Sequence, residues 1–203
     1  MACTFSDDVI QQTQAFHGHV CPGLAIGIRA AELALREVGH AAENDLVAVT
    51  ETDMCGVDAV QFLTGATYGK GNLVHKDYGK MAFTFWDRAR EKGVRAVFRW
   101  EAGEEFRREM YTLMRKIQDG EAADEEKKKA ENLRQKLYED ILAAELDTLF
   151  TLHQPQGGPP TRARVLDSIQ CARCGERTME SRTRRYDRKV YCIPCFEKVE
   201  QKL

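Results

Sequence analysis

The sequence predicts an α+β chain in two parts: a helix-strand-helix-three-strand core carrying long C-terminal helices, followed by a small zinc-finger domain. Three observations lead there. Strand-like segments cluster after helical ones instead of alternating regularly, the pattern of α+β rather than βαβ architecture. A proline- and glycine-rich stretch, HQPQGGPPT at 153–161, reads as a linker. Beyond it stand two Cys-x-x-Cys pairs separated by seventeen residues. The resulting division is a core over 1–152, a linker over 153–164 and a finger over 165–203.

Each element has a local reason. Ser6 can cap a short helix that carries Val9, Thr13 and Phe16 on one face. Pro22 fits the first position of a second helix with Cys21 as its cap. Its stripe is Leu24, Ile28, Ala31, Leu35 and Val38, and Gly39 stops it. LVAVTET (46–52) reads as a strand, 57–63 as a short helix and TGATYGKGN (64–72) as a glycine-rich loop. Three strands follow over 73–75, 80–86 and 94–100. Residues 102–118 form an amphipathic helix with Phe106, Met110, Leu113, Met114 and Ile117 inward. A second helix is expected over 121–150, with Leu133, Leu137, Ile141, Leu142, Leu146 and Leu149 on its apolar face.

Composition narrows the function. The net charge is −2, but residues 161–203 hold 11 Lys/Arg against 6 Asp/Glu, so a +5 tail follows a −7 body. Two modules with different partners are expected. No apolar run approaches the roughly 20 residues of a membrane span. The first ten residues lack a basic start and an apolar stretch, so no secretory signal is expected and the chain is assigned to the cytoplasm. In that compartment seven cysteines are reduced thiols or metal ligands in preference to disulfides.

Cys171, Cys174, Cys192 and Cys195 match a structural zinc site. Two redox dithiols are the rival reading, and the double spacing favours zinc. The module has few large apolar side chains, so the metal must supply much of its folding free energy. Between the pairs Arg177, Arg182, Arg184, Arg185, Arg188 and Lys189 surround Tyr186, a loop that suits phosphates or is simply solvated. The segment resembles the four-cysteine zinc finger of the DksA/TraR type, through the cysteines and one glycine; the resemblance implies contact with transcription machinery.

A second cluster lies in the core. His17, His19 and Cys21 alternate, so an extended run would turn them to one side, and Pro22 favours extended geometry at Cys21. Cys21 and Cys55 both precede helices, where backbone N–H groups lower a thiol's pKa. Two thiols and two imidazoles suit a soft or borderline divalent ion; the alternative is loop histidines and small core cysteines. Asp53 is a candidate to orient a ligating histidine. Asp58 and Gln61 can orient a ligand or cap a helix. Lys70 and Asn72 belong to a loop that is either a phosphate cradle or a folding constraint, and it lacks the P-loop order. His40 and His75 read as surface residues.

FHGHVCPGLAIGIRAAELAL followed by DMCGVDAVQFLTGATYGKGNL closely resembles the FmdE-like family, the E-type subunits of formylmethanofuran dehydrogenase, over about residues 10–100. HGHxCPG, CxxDAVQ and TxGKGNL stand in the family's order. The resemblance implies an α+β core, a homodimer with intertwined helices, and a metal near the His/Cys motif, expected to be a second zinc. It implies an accessory or regulatory metal-binding protein whose finger contacts protein or nucleic acid. The alternative is a metal-dependent enzyme, or a component of one, in one-carbon, formylmethanofuran redox metabolism involving molybdenum or tungsten. The chain lacks the cysteine runs of iron–sulfur clusters. The homodimer is also expected from area: helices over 102–150 left in solvent would expose more apolar surface than monomers tolerate.

Overall fold

The structure, a computed structural model, describes residues 3–39, 45–101 and 104–200. His40 lies outside them, and His75 is exposed. The chain divides into two compact units, 1–162 and 163–203.

The first unit opens with α1 (Asp7–His17), capped by the Ser6 hydroxyl, which accepts the Val9 N–H. Gly18 ends it in the left-handed conformation, φ 89°. α2 (Pro22–Glu37) begins at proline with the Cys21 sulfur accepting the Leu24 N–H. It is buried from Leu24 to Ala34 without a break and forms the spine of the unit. β1 (Leu46–Thr50), α3 (Gly56–Thr64), β2 (Leu73–His75), β3 (Ala82–Asp87) and β4 (Lys92–Phe98) follow. Then come α4 (Glu104–Gln118), α5 (Asp124–Ala143), the short α6 (Leu146–Leu149) and β5 (Phe150–His153). The strands form one sheet in the order β2-β1-β3-β4-β5, antiparallel except for the β1–β2 pair.

Strand alternation sorts the sheet into two faces. Leu46, Ala48, Phe83, Phe85, Val94, Ala96 and Phe98 point into the main core, together with Leu33 of α2 and Leu137, Tyr138 and Ile141 of α5. The opposite face carries Val49, Thr84, Trp86 and Arg95 beneath residues 153–160.

Two helical expectations change here. The helix expected over 121–150 stops at Ala143. Ala144 turns extended, and the buried Arg29 guanidinium takes the orphan carbonyls of Leu142 (3.0 Å) and Ala144 (2.8 Å). A buried cation at that end of α5 also complements its dipole. Arg29 is itself paired with Glu32 at 3.0 Å, and Glu32 accepts the Thr4 N–H. Phe150 then enters a strand and meets Phe98 edge-on inside the core. Less apolar area is left over for a partner than expected, because the C-terminal half of α5 packs on α2 at home. Tyr111, Met114 and Ile117 of α4 remain exposed, and Phe106 lies outward under Lys136. Among the described residues no helix is long and apolar enough to cross a membrane.

The second unit has two hairpins and a helix: β6 (Ser168–Gln170) with β7 (Arg177–Met179), β8 (Thr183–Tyr186) with β9 (Lys189–Cys192), and α7 (Ile193–Glu200). Its buried cluster is Cys171, Tyr191, Cys192 and Cys195, with Phe196 and Val199 against it.

Candidate metal centres

The first centre is assembled by helix ends. Glycine lets two helices meet: a Cβ on Gly27 of α2 would sit 2.2 Å from the Gly56 carbonyl oxygen of α3. One turn earlier, a Cβ on Gly23 would lie 3.3 Å from that of Cys55. This contact sets Cys55, at the start of α3, beside Cys21, at the start of α2. α1 delivers His17 as its last residue, and the left-handed Gly18 turns the chain so that the His19 ring lies 4.3 Å from the His17 ring.

The donor atoms of His17, His19, Cys21 and Cys55 all lie within 4.8 Å of one another. Tetrahedral zinc, with Zn–S of about 2.3 Å, holds its ligands roughly 3.3–3.8 Å apart. Small side-chain adjustments close that gap. His17 Nδ1 donates to Asp58 Oδ2 at 2.7 Å, and Nε2 faces the Cys21 sulfur at 4.0 Å. A carboxylate on one imidazole nitrogen leaves the lone pair of the other for a metal. The four residues expected from the sequence therefore converge, by a different route. His17 is helical, so the expected extended run 17-19-21 does not form.

Three further expectations are revised. Asp58, not Asp53, orients the histidine; Asp53 is exposed. The Cys55 thiol is not lowered by its helix. Burial, then the adjacent Cys21, push it up to about 11. Its position just before α3 carries αR backbone angles and no side-chain cap. A thiol so raised stays protonated at neutral pH, against the expectation of a thiol activated by its helix. The His19 imidazole is lowered by desolvation, by His17 and by Arg134, which leaves it neutral and able to ligate.

The glycine-rich loop is not a phosphate cradle, because its N–H groups are already used. Thr67 N donates to Asn72 Oδ1 (2.9 Å) and Tyr68 N to Gln61 Oε1 (3.1 Å). Ala66 N and Lys70 N donate to threonine hydroxyls, and Gly71 N donates to the Tyr68 carbonyl. The buried Asn72 spends its other end on the Leu46 carbonyl. Gln61 and Asn72 thus fasten the loop to α3 and β1 instead of meeting a ligand, and Lys70 is exposed.

The second centre is the finger, where the four sulfurs again lie within 4.8 Å. Cys174 and Cys192 stand 3.9 Å apart. Gly175, at φ 76°, curls the first knuckle, and its N–H donates to the Cys171 carbonyl. Hydrogen bonds from backbone N–H groups, those of Cys174 and Cys192 foremost, lower the Cys171 thiol to about 6. Neighbouring sulfurs, Cys192 first, push Cys195 up to about 12. Packing alone does not favour four thiolates at such range; a divalent cation does. Among the described residues, Arg182, Arg184, Arg185 and Arg188 are exposed with no carboxylate in ion-pair reach.

Comparison with known proteins bears on both centres. Residues 16–151 match the family described as "FmdE, Molybdenum formylmethanofuran dehydrogenase operon". Residues 166–201 match the prokaryotic dksA/traR C4-type zinc finger. A curated relative from Archaeoglobus fulgidus, described as a probable S-adenosyl-L-methionine-binding protein, is 29% identical over 184 residues, 87% of this chain. The chain spans 50% of that relative's length. A crystal structure of an FmdE-like protein of tungsten formylmethanofuran dehydrogenase, from Syntrophus aciditrophicus, shares the fold, with TM-score 0.64 and 22% identity. The match covers 99% of this chain and 97% of that one.

Proposed function

The chain belongs to the FmdE family, and from that premise we propose that it is an accessory or regulatory metal-binding protein with a divalent metal, zinc, in each unit. The observation that carries the reading is the convergence of His17, His19, Cys21 and Cys55, with Asp58 fixing the His17 tautomer. Four protein donors fill a tetrahedral shell, which suits holding or sensing a metal more than turning over a substrate. The finger is the contact module. Its unpaired arginines suit an acidic protein surface or a nucleic-acid backbone, and salt-dependent binding separates these from an uncharged interface. A homodimer through α4 is part of the proposal, since Tyr111, Met114 and Ile117 form an apolar strip with nothing over it in one protomer.

His19, the exposed member of the set, supports the second reading. Water in its place would leave an open position, as a metal-dependent enzyme of one-carbon metabolism requires. Cobalt(II) substitution decides. A closed N2S2 centre gives tetrahedral visible bands that added thiocyanate does not move. Bands that shift with thiocyanate establish the open site.

A further inference from the structure

The metal centre rides on the helices of one sheet face, and the other face holds a cavity that shares no residue with it. Val49, Thr84, Arg95 and His153 stand in one row across β1, β3, β4 and β5. Beside them Trp86 lies over Gly93 on the next strand, so close that a Cβ there would fall 2.5 Å from the indole ring. Glycine at 93 is what lets the indole lie flat. Above this floor the chain returns as a strap. It leaves β5 at His153, buries Pro155, and is tied down by Arg88, which donates to the carbonyls of Pro160 (2.9 Å) and Thr161. An ion pair between Arg162 and Asp45 completes the anchor. About 530 Å³ stays open between strap and sheet, within the range of small-molecule sites.

The wall of this cavity is charged in one sense. Glu51 is its carboxylate, and both oxygens are taken by Arg95, at 2.6 and 2.8 Å. Lys76 and Lys80 also line it, and among the described residues neither ammonium has a carboxylate in ion-pair reach. Both are placed firmly: Lys76 N donates to the Thr50 carbonyl and Lys80 N to that of Glu51, tying the loop to the end of β1. Two uncompensated cations thus face an apolar floor of Trp86 and Val49 under a fixed cover.

We propose that this cavity is a second ligand site, for a small organic anion whose acid group meets Lys76 and Lys80 and whose apolar or planar body lies against Trp86. The site does not depend on the metal centre. The test uses the full chain carrying Trp100→Phe, which leaves Trp86 as the one indole. Benzoate, phenyl phosphate and inorganic phosphate are titrated against its fluorescence. Saturable quenching by benzoate or phenyl phosphate is expected, and the tighter of the two identifies the acid group. Adding Lys76→Glu and Lys80→Glu should weaken that binding roughly tenfold or more, as loss of charge-assisted hydrogen bonds does. Lys76→Gln with Lys80→Gln replaces that pair if the reversal disturbs the fold by circular dichroism. Cys55→Ser should leave the binding unchanged. No saturable response to either organic acid at millimolar concentration overturns the proposal. So does inorganic phosphate binding as tightly as phenyl phosphate, or full affinity in the lysine variants.

Discussion

Around Cys21 and Cys55 the protein has a core of its own, whereas around Cys171 and Cys192 the cysteines are the core. In the first unit Leu24, Ile28 and Ala59 bury the thiols, and a five-stranded sheet with its helices holds the backbone whether or not an ion is bound. In the second, the buried cluster consists of three cysteines and a tyrosine. The same chemistry therefore has two roles. Metal in the finger is folding free energy, and metal in the helical unit is a ligand on a scaffold that already stands.

The largest expected effect follows directly. Structural zinc contributes about 10–16 kcal/mol to finger-like modules. Cys174→Ser, or a strong chelator, should therefore unfold residues 163–203 and leave the first unit cooperative. Hydrogen exchange resolved by segment checks this. Equal protection in the finger before and after metal removal would erase the contrast.

Next is the helix crossing. Gly27→Ala places a methyl 2.2 Å from a backbone oxygen, so α2 and α3 must separate. Overpacking of this kind costs about 1–3 kcal/mol, and here it also parts Cys21 from Cys55. Chemical denaturation and metal titration should both register it, with finger zinc unchanged.

The unequal legibility of the two centres has the same origin. The finger is readable because all four ligands sit in two local turns with a recognisable spacing. In the helical unit the donor residues are readable, but the geometry joining them is not. Gly23, Gly27 and Gly56 matter because two helices distant in sequence touch there, and no local pattern pairs them. Asp58 replaces Asp53 as the histidine's partner because α3 carries it inward. Nothing in the run after Ala143 breaks a helix, since the break is made by Arg29, more than a hundred residues earlier. Gln61 and Asn72 look like ligand groups in the sequence, and their partners turn out to be backbone amides of their own loop.

A subtler separation comes from Asp58→Asn. Losing the carboxylate on His17 Nδ1 should weaken metal binding in the helical unit by roughly 10–100-fold, as loss of such orienting partners typically does. The finger should not respond, and competition with a chromogenic chelator measures both sites in one titration.

The smallest effect is one of pH. The Cys55 thiol is raised from 9.0 to about 11, so the metal-free folded state holds this proton more tightly than the unfolded chain does. The resulting stability is complete below about pH 9 and is lost as pH rises toward about 11. Metal-free protein should therefore melt lower across that window, and Cys55→Ser should flatten the decline.

Native mass spectrometry with elemental analysis tests the central claim most directly, because it counts metals and chains in one particle. Two zinc ions per 23.1 kDa chain are expected, in a particle of about 46 kDa. The Cys21→Ser, Cys55→Ser pair should reduce that count to one, with the finger still loaded. Wild-type protein that binds a single zinc, lost on Cys174→Ser and unaffected by the Cys21 and Cys55 changes, would contradict a metal centre in the helical unit.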